Sequence, residues 1–164
     1  MTTPDIVEKD ARLSECGRYR YLLRRVWDHY RPRALLVMLN PSTADAEIDD
    51  PTIRSCVRLL NALGFGSFEV VNLFAWRATD PAELKRADAP IGPDNDKIIE
   101  GAVRRCDVVI CAWGAHPEAA RRSRSVVDIV RRLRPAVFCL GKTMKGHPKH
   151  PLYIKTGTGL ETFP

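Results

Sequence analysis

Four short apolar runs, at 34–39, 68–74, 108–113 and 136–140, are continuous rather than alternating. Strands buried on both faces read this way. Helical spacing fills the gaps between them. Segment 51–63 repeats Ile53, Val57 and Leu60, with Asp50 placed to cap it, Pro51 at the first helical position and Gly64 as a stop. Segment 94–105 carries Ile98, Ile99 and Val103. Segment 117–133 sets Val126, Val127, Ile129, Val130 and Leu133 against arginines. The alternation predicts an α/β three-layer sandwich, with a four-stranded, mostly parallel central sheet and helices on both faces. Right-handed crossovers then bring the carboxyl ends of the strands to one edge. Segment 18–27 is read as a flanking strand, 152–155 as a short final strand, and 1–15 as poorly ordered. Residues 1–164 are read as one domain.

Composition narrows the class. The chain has 164 residues and is 45% hydrophobic, enough for a real core. No apolar run approaches the ~20 residues of a membrane-spanning helix, and the polar start is unlike a signal peptide. A cytoplasmic protein without membrane contact is expected. The five cysteines form no CxxC, and Cys111 and Cys139 lie inside apolar runs. No disulfide, zinc site, metal cluster or cofactor is expected. The net charge of +6 permits a nucleotide or nucleic-acid partner without requiring one. Its excess sits in Arg121, Arg122, Arg124, Arg131, Arg132 and Arg134, and in Lys142, Lys145, Lys149 and Lys155. Nothing in the sequence fixes an oligomeric state.

Ligands of open α/β sheets bind beyond the carboxyl ends of the strands. The first run is followed by Asn40-Pro41-Ser42. Asn40 can donate and accept at once, and Pro41 holds it extended; an Asx turn explains the pair equally well. Asn72 is an amide inside an apolar run, so it needs a backbone partner or a ligand. Arg77, beyond it, suits a phosphate or pairs with Asp80. Gly114 allows close backbone approach after the third run. The fourth is followed by a segment dense in Gly, Lys, His and Pro, containing Lys142, His147, His150 and Tyr153. Gly141-Lys142-Thr143 lacks the first glycine of a phosphate loop. The acidic stretch Asp45, Glu47, Asp49, Asp50 is read as solvated. Ser42 is a weak candidate nucleophile, since no GxSxG elbow is present.

Together LNPSTAD, DDPT, VNLFAWRATDP, AWG, LGKT and HPKHPLY resemble a bacterial family defined only as a domain of unknown function (domain of unknown function 1643), over about Tyr19 to Tyr153. The order of motifs is also distantly similar to the uracil-DNA glycosylase superfamily. That resemblance implies a uracil-DNA-glycosylase-like fold and a set of roles. Asn40, with Pro41, would hold the hydrolytic water, and Asn72 would read the base edge. Arg77 would stand where the thermostable branch has an Arg, and Gly114 would close the third motif. His150, before Pro151, would stabilise the departing base. Three features depart from the pattern. Segment 42–53 has no aromatic residue to stack on a base, 141–149 is an insertion, and the cluster cysteines are absent.

These readings lead to a nucleotide- or nucleic-acid-binding protein that is a candidate hydrolase of N-glycosidic bonds. Asn40 and His150 would be catalytic. Pro41, Ser42, Asn72, Arg77, Gly114, Lys142, His147 and Tyr153 would bind substrate, with no metal. The competing classes are a non-catalytic nucleotide or nucleoside binder, and an interaction module using the basic helix over 121–134.

Overall fold

The computed structural model describes residues 2–164. Among them, seven strands build one sheet: β1 (Glu8–Leu13), β2 (Arg20–Val26), β3 (Arg33–Met38), β4 (Ser67–Asn72), β5 (Val108–Cys111), β6 (Phe138–Cys139) and β7 (Glu161–Thr162). Their order is β1-β2-β4-β3-β5-β6-β7. Four helices accompany them: α1 (Pro51–Ala62), α2 (Asn95–Arg105), α3 (Pro117–Ala120) and α4 (Ser123–Leu133). The protein is α/β.

The sheet corrects the expected four-stranded, mostly parallel layer. It has seven strands and is mixed. Neighbours β4–β3, β3–β5 and β5–β6 run parallel, whereas β1–β2, β2–β4 and β6–β7 run antiparallel. The four apolar runs supply β3 to β6; the strands outside them cause the discrepancy. β1 is a largely exposed edge strand and β7 is two exposed residues, so neither carries an apolar run. β2 does carry one, but composition does not encode strand direction. Short connections, the turn between β1 and β2 among them, allow antiparallel pairing without a crossover helix. β1 also lies inside the segment expected to be loosely ordered; Met1 lies outside the described residues.

Two further elements differ from expectation. The span 152–155 is not a strand; Pro151–Tyr153 form a single 3-10 turn instead. Pro151 has no N–H to give a ladder, and His150 caps the turn. The predicted helix over 117–133 is broken into α3 and α4. Between them the buried Arg122 turns inward, donating to the Leu73 carbonyl at 3.1 Å and to the Asp96 carboxylate.

Strand periodicity sends alternate residues to opposite faces. Leu35 and Val37 of β3 pack with α2 and α4, while Ala34, Leu36 and Met38 pack with α1. Each fully buried aliphatic side chain stabilises this layering by about 1.5–3 kcal/mol. Helices therefore cover both faces and leave the carboxyl edge of the parallel strands open. Among the described residues, no helix is long and apolar enough to cross a membrane.

Candidate functional site

At that edge lies a cleft of about 470 Å³. Asn40 enters it from the end of β3, Asn72 from β4, and Trp113 and Gly114 from β5; Asp50 and Thr52 enter from the start of α1, and His150 from the far wall. Asn40 is oriented by two carbonyls. Its Nδ2 donates to Ala78 at 2.8 Å and Pro41 at 3.1 Å. Both amide hydrogens are thereby used, and Oδ1 is the acceptor that remains for a ligand.

Asn72 is only 1% exposed, yet its Nδ2 has no hydrogen-bond partner among the described residues. Its backbone is held firmly: Asn95 of α2 donates to the Asn72 carbonyl at 2.9 Å. An unsatisfied buried amide costs about 1–3 kcal/mol. Here that cost falls on a group lining a cleft.

His150 is fixed by the turn it caps. Its Nδ1 accepts the Leu152 N–H at 3.2 Å, so the neutral ring carries its proton on Nε2. Burial pushes its pKa below the ordinary histidine value, against the opposing charge of Asp50. The result is a neutral N–H donor. His116 repeats this arrangement before α3, where its Nδ1 accepts the Glu118 N–H at 3.2 Å. His116 also lines the cleft, and sequence reasoning passed over it. Gly114, at φ +76°, donates its N–H to the Pro148 carbonyl at 2.9 Å, which docks the 141–149 hairpin beside the site.

Of the two buried arginines of β2, Arg20 lines the cleft and Arg25 holds the loop behind it. Arg20 donates from Nη1 to the Ala44 carbonyl at 2.8 Å, and its Nε has no partner. Burial lowers its pKa to about 10, opposed by Asp50. Arg25 is fully buried; it donates to the Asp49 carboxylate at 2.8 Å and to the Asp45 carbonyl at 2.6 Å. Arg25 therefore clamps the acidic loop from inside, while Glu47 stays exposed to solvent. Asp45 accepts the N–H groups of Ile48 and Glu47, which hold its carboxyl below the usual range. Asp50 caps α1 by accepting from Ile53 at 2.9 Å. The cap also brings a carboxylate into the cleft, a second role its sequence pattern conceals.

Of the residues singled out from the sequence, Asn40, Ser42, Asn72, Gly114, His150 and Tyr153 line this cleft. The other four stand apart. Pro41 acts through its carbonyl, which also accepts from Ala78 N–H at 3.0 Å. Arg77 lines an adjoining cavity and donates to Gly17 O at 3.4 Å rather than pairing with Asp80. Lys142 pairs with Glu161 at 3.5 Å on the outer strand. His147 lines a side cavity next to α3. The cleft's aromatic lining comes from Trp113, just after β5, and Tyr153, rather than from 42–53. Phe74 belongs to the core, and Trp76 packs edge-on against Tyr19. The basic segment does not form one charged face. Arg122 is buried, Arg121 pairs with Glu118 at 2.8 Å, and Arg134 donates to Cys106 O at 2.5 Å. Among the described residues, no group of three or more His, Cys, Asp or Glu could hold a metal ion.

The family model described as Protein of unknown function (DUF1643) matches residues 20–152. The chain belongs to this family. The match spans every cleft residue named above except Tyr153, which lies one residue beyond it. No curated protein and no solved structure matches the chain.

Proposed function

We propose that the cleft receives a nucleobase still joined to its sugar and hydrolyses the N-glycosidic bond. The observation that carries this reading is the buried Asn72 amide, which lines the cleft with an unpartnered Nδ2. A side-chain amide offers a donor and an acceptor side by side, the pattern found on the polar edge of a nucleobase. The motif resemblance to the uracil-DNA glycosylase superfamily, through Asn40-Pro41, Asn72, Gly114 and His150-Pro151, points the same way.

In the reaction, water adds to the anomeric carbon, the carbon–nitrogen bond breaks, and the base leaves with the bonding electrons and then takes up a proton. Asn40 Oδ1 accepts from the water and orients it. The amide is too weak a base to deprotonate it, so Asp50 takes the proton as the new bond forms. The Nε2–H of His150 donates to the negative charge developing on the departing base.

The test is chromatographic detection of free base from nucleosides and from uracil-containing oligonucleotides. Release that falls about 10²–10³-fold in His150→Ala, the usual effect of losing one charge-stabilising donor, supports the reading. Saturable nucleoside binding without release would make the protein a binder, not a hydrolase. Neither binding nor release would remove the base-recognition claim altogether.

A further inference from the structure

Arg20 brings a positive charge to the cleft that no acid of the folded chain pairs with. Its side chain lines the cleft and is 3% exposed. That side chain makes one hydrogen bond, from Nη1 to the neutral Ala44 carbonyl; its Nε has no partner, and no ion pair is formed among the described residues. Buried charges are ordinarily paired, because stripping them of water is costly. The surrounding charges act only from a distance: Asp50 and Asp45 favour the guanidinium, while Arg77 and Arg25 oppose it. Asp50 is the single acid among the lining residues, and its Oδ1 is turned to the helix, accepting the Ile53 N–H at 2.9 Å.

The start of α1 opens into the same cleft. In its first turn Pro51 has no N–H, and the N–H groups of Ile53 and Arg54 both go to Asp50, to its carboxylate and its carbonyl. The N–H and hydroxyl of Thr52, which lines the cleft, are left without a partner among the described residues. A free N–H at a helix start favours negative charge. Arg20 reaches the same conclusion independently, from another strand and from a buried cation.

We infer that this corner takes the terminal phosphate of a nucleoside 5′-monophosphate, which accepts from Arg20 Nε and from Thr52 while the base lies against Asn72. This rests on the base-binding reading proposed above and adds that the substrate is a free nucleotide. A phosphodiester must leave the corner along both of its esters, whereas a terminal phosphate ends there; a guanidinium as buried as Arg20 suits the second. A bare nucleoside would leave that guanidinium unpaired.

The test is calorimetry on the native protein and on Arg20→Met, whose folding is checked by circular dichroism. The ligands are nucleosides, their 5′-monophosphates, dinucleoside monophosphates and ribose 5-phosphate. The native protein should bind the best monophosphate at least about tenfold tighter than its own nucleoside, as a charge-assisted hydrogen bond in a buried site requires. It should bind that monophosphate tighter than the dinucleoside monophosphate of the same base, and ribose 5-phosphate should compete for the site. In Arg20→Met the preference for monophosphate over nucleoside should fall to within about twofold. Equal affinity of the native protein for nucleoside and monophosphate would overturn the inference whether or not the variant folds, and would leave base recognition standing. So would a dinucleoside monophosphate that binds tightest, or a preference that survives in Arg20→Met. If ribose 5-phosphate binds through Arg20 but no base improves on it, the phosphate corner stands and base recognition fails. If nothing binds, both fail.

Discussion

His116 and His150 make the same cap on two walls of one cleft: each Nδ1 accepts the N–H of the residue two further on, at 3.2 Å, with a proline in between. Each ring thus turns its Nε2–H away from the chain. Protonating Nδ1 would remove the acceptor and break the cap. Burial already disfavours that form for His150. A histidine whose folded pKa is depressed contributes stability that is present above its unfolded value, near 6.5, and is lost as pH falls through the folded one. The native protein should therefore lose more melting temperature between pH 7.5 and pH 5 than His150→Asn does. Parallel curves for the two proteins would show that His150 titrates as if exposed.

Asn72 offers a sharper separation of stability from function. Leucine is close to it in size and leaves no amide unpaired. Asn72→Leu should raise unfolding free energy by about 1 kcal/mol, since an unsatisfied buried group costs about 1–3 kcal/mol. The same change should abolish nucleoside binding. Urea denaturation together with a binding titration tests both halves. A destabilised variant would mean that the amide has a partner in the folded protein.

Asp50 both caps α1 and faces the cleft. Asparagine caps a helix about as well as aspartate, so Asp50→Asn should alter stability by less than about 1 kcal/mol. It should still slow base release by about 10²–10⁴-fold, the range typical of general-base loss. Equal rates in the two proteins would confine Asp50 to its capping role.

Arg25 holds the loop that leads into α1. Because Arg25 is wholly buried and joined to Asp49 at 2.8 Å, Arg25→Ala leaves that carboxylate only the more distant Lys9, at 3.4 Å, and frees the loop carbonyl of Asp45. A loss of about 3 kcal/mol in unfolding free energy is expected. Asp49→Asn should be milder, since the side chain is partly exposed and an amide oxygen still accepts. Chemical denaturation of both variants checks the order.

Gly114 has room for a methyl group but not the backbone for it. A Cβ there would meet His150 Cβ at 3.5 Å, an ordinary contact, whereas φ is +76°. Gly114→Ala should cost about 1–2 kcal/mol from the left-handed conformation alone, measured by thermal unfolding.

The apolar runs made the central layer legible. Four of them become β3 to β6, and Asp50, Pro51 and Gly64 mark the ends of α1 closely. Of the flanking strands, β2 was read at 18–27 although its direction was not, and β1 and β7 were hidden for a simple reason. β1 exposes most of its residues and β7 has two, so neither shows a buried-strand pattern. β2 mixes Leu22, Leu23 and Val26 with buried Arg20 and Arg25, and nothing in that pattern announces an antiparallel partner. At the site, Asn40, Asn72 and His150 were singled out as polar residues in or beyond apolar runs, although an Asx turn explained Asn40 equally well. Asp50, Arg20 and His116 were not. Asp50 and His116 each make a local cap that accounts for it alone, Arg20 reads as an ordinary strand arginine, and only the folded chain brings the three to the same space. Lys142 and His147 were drawn in by motif density, but Lys142 pairs with Glu161 and His147 lines a side cavity.

The most direct measurement is a titration followed through the side-chain amide resonances of Asn72 by nuclear magnetic resonance, with nucleosides and short oligonucleotides added. The expected result is a saturable shift of the Asn72 Nδ2 hydrogens as they gain a partner, together with perturbation of His150 Nε2–H. Ligand binding that leaves those resonances unmoved, or no binding by any base tested, would contradict it.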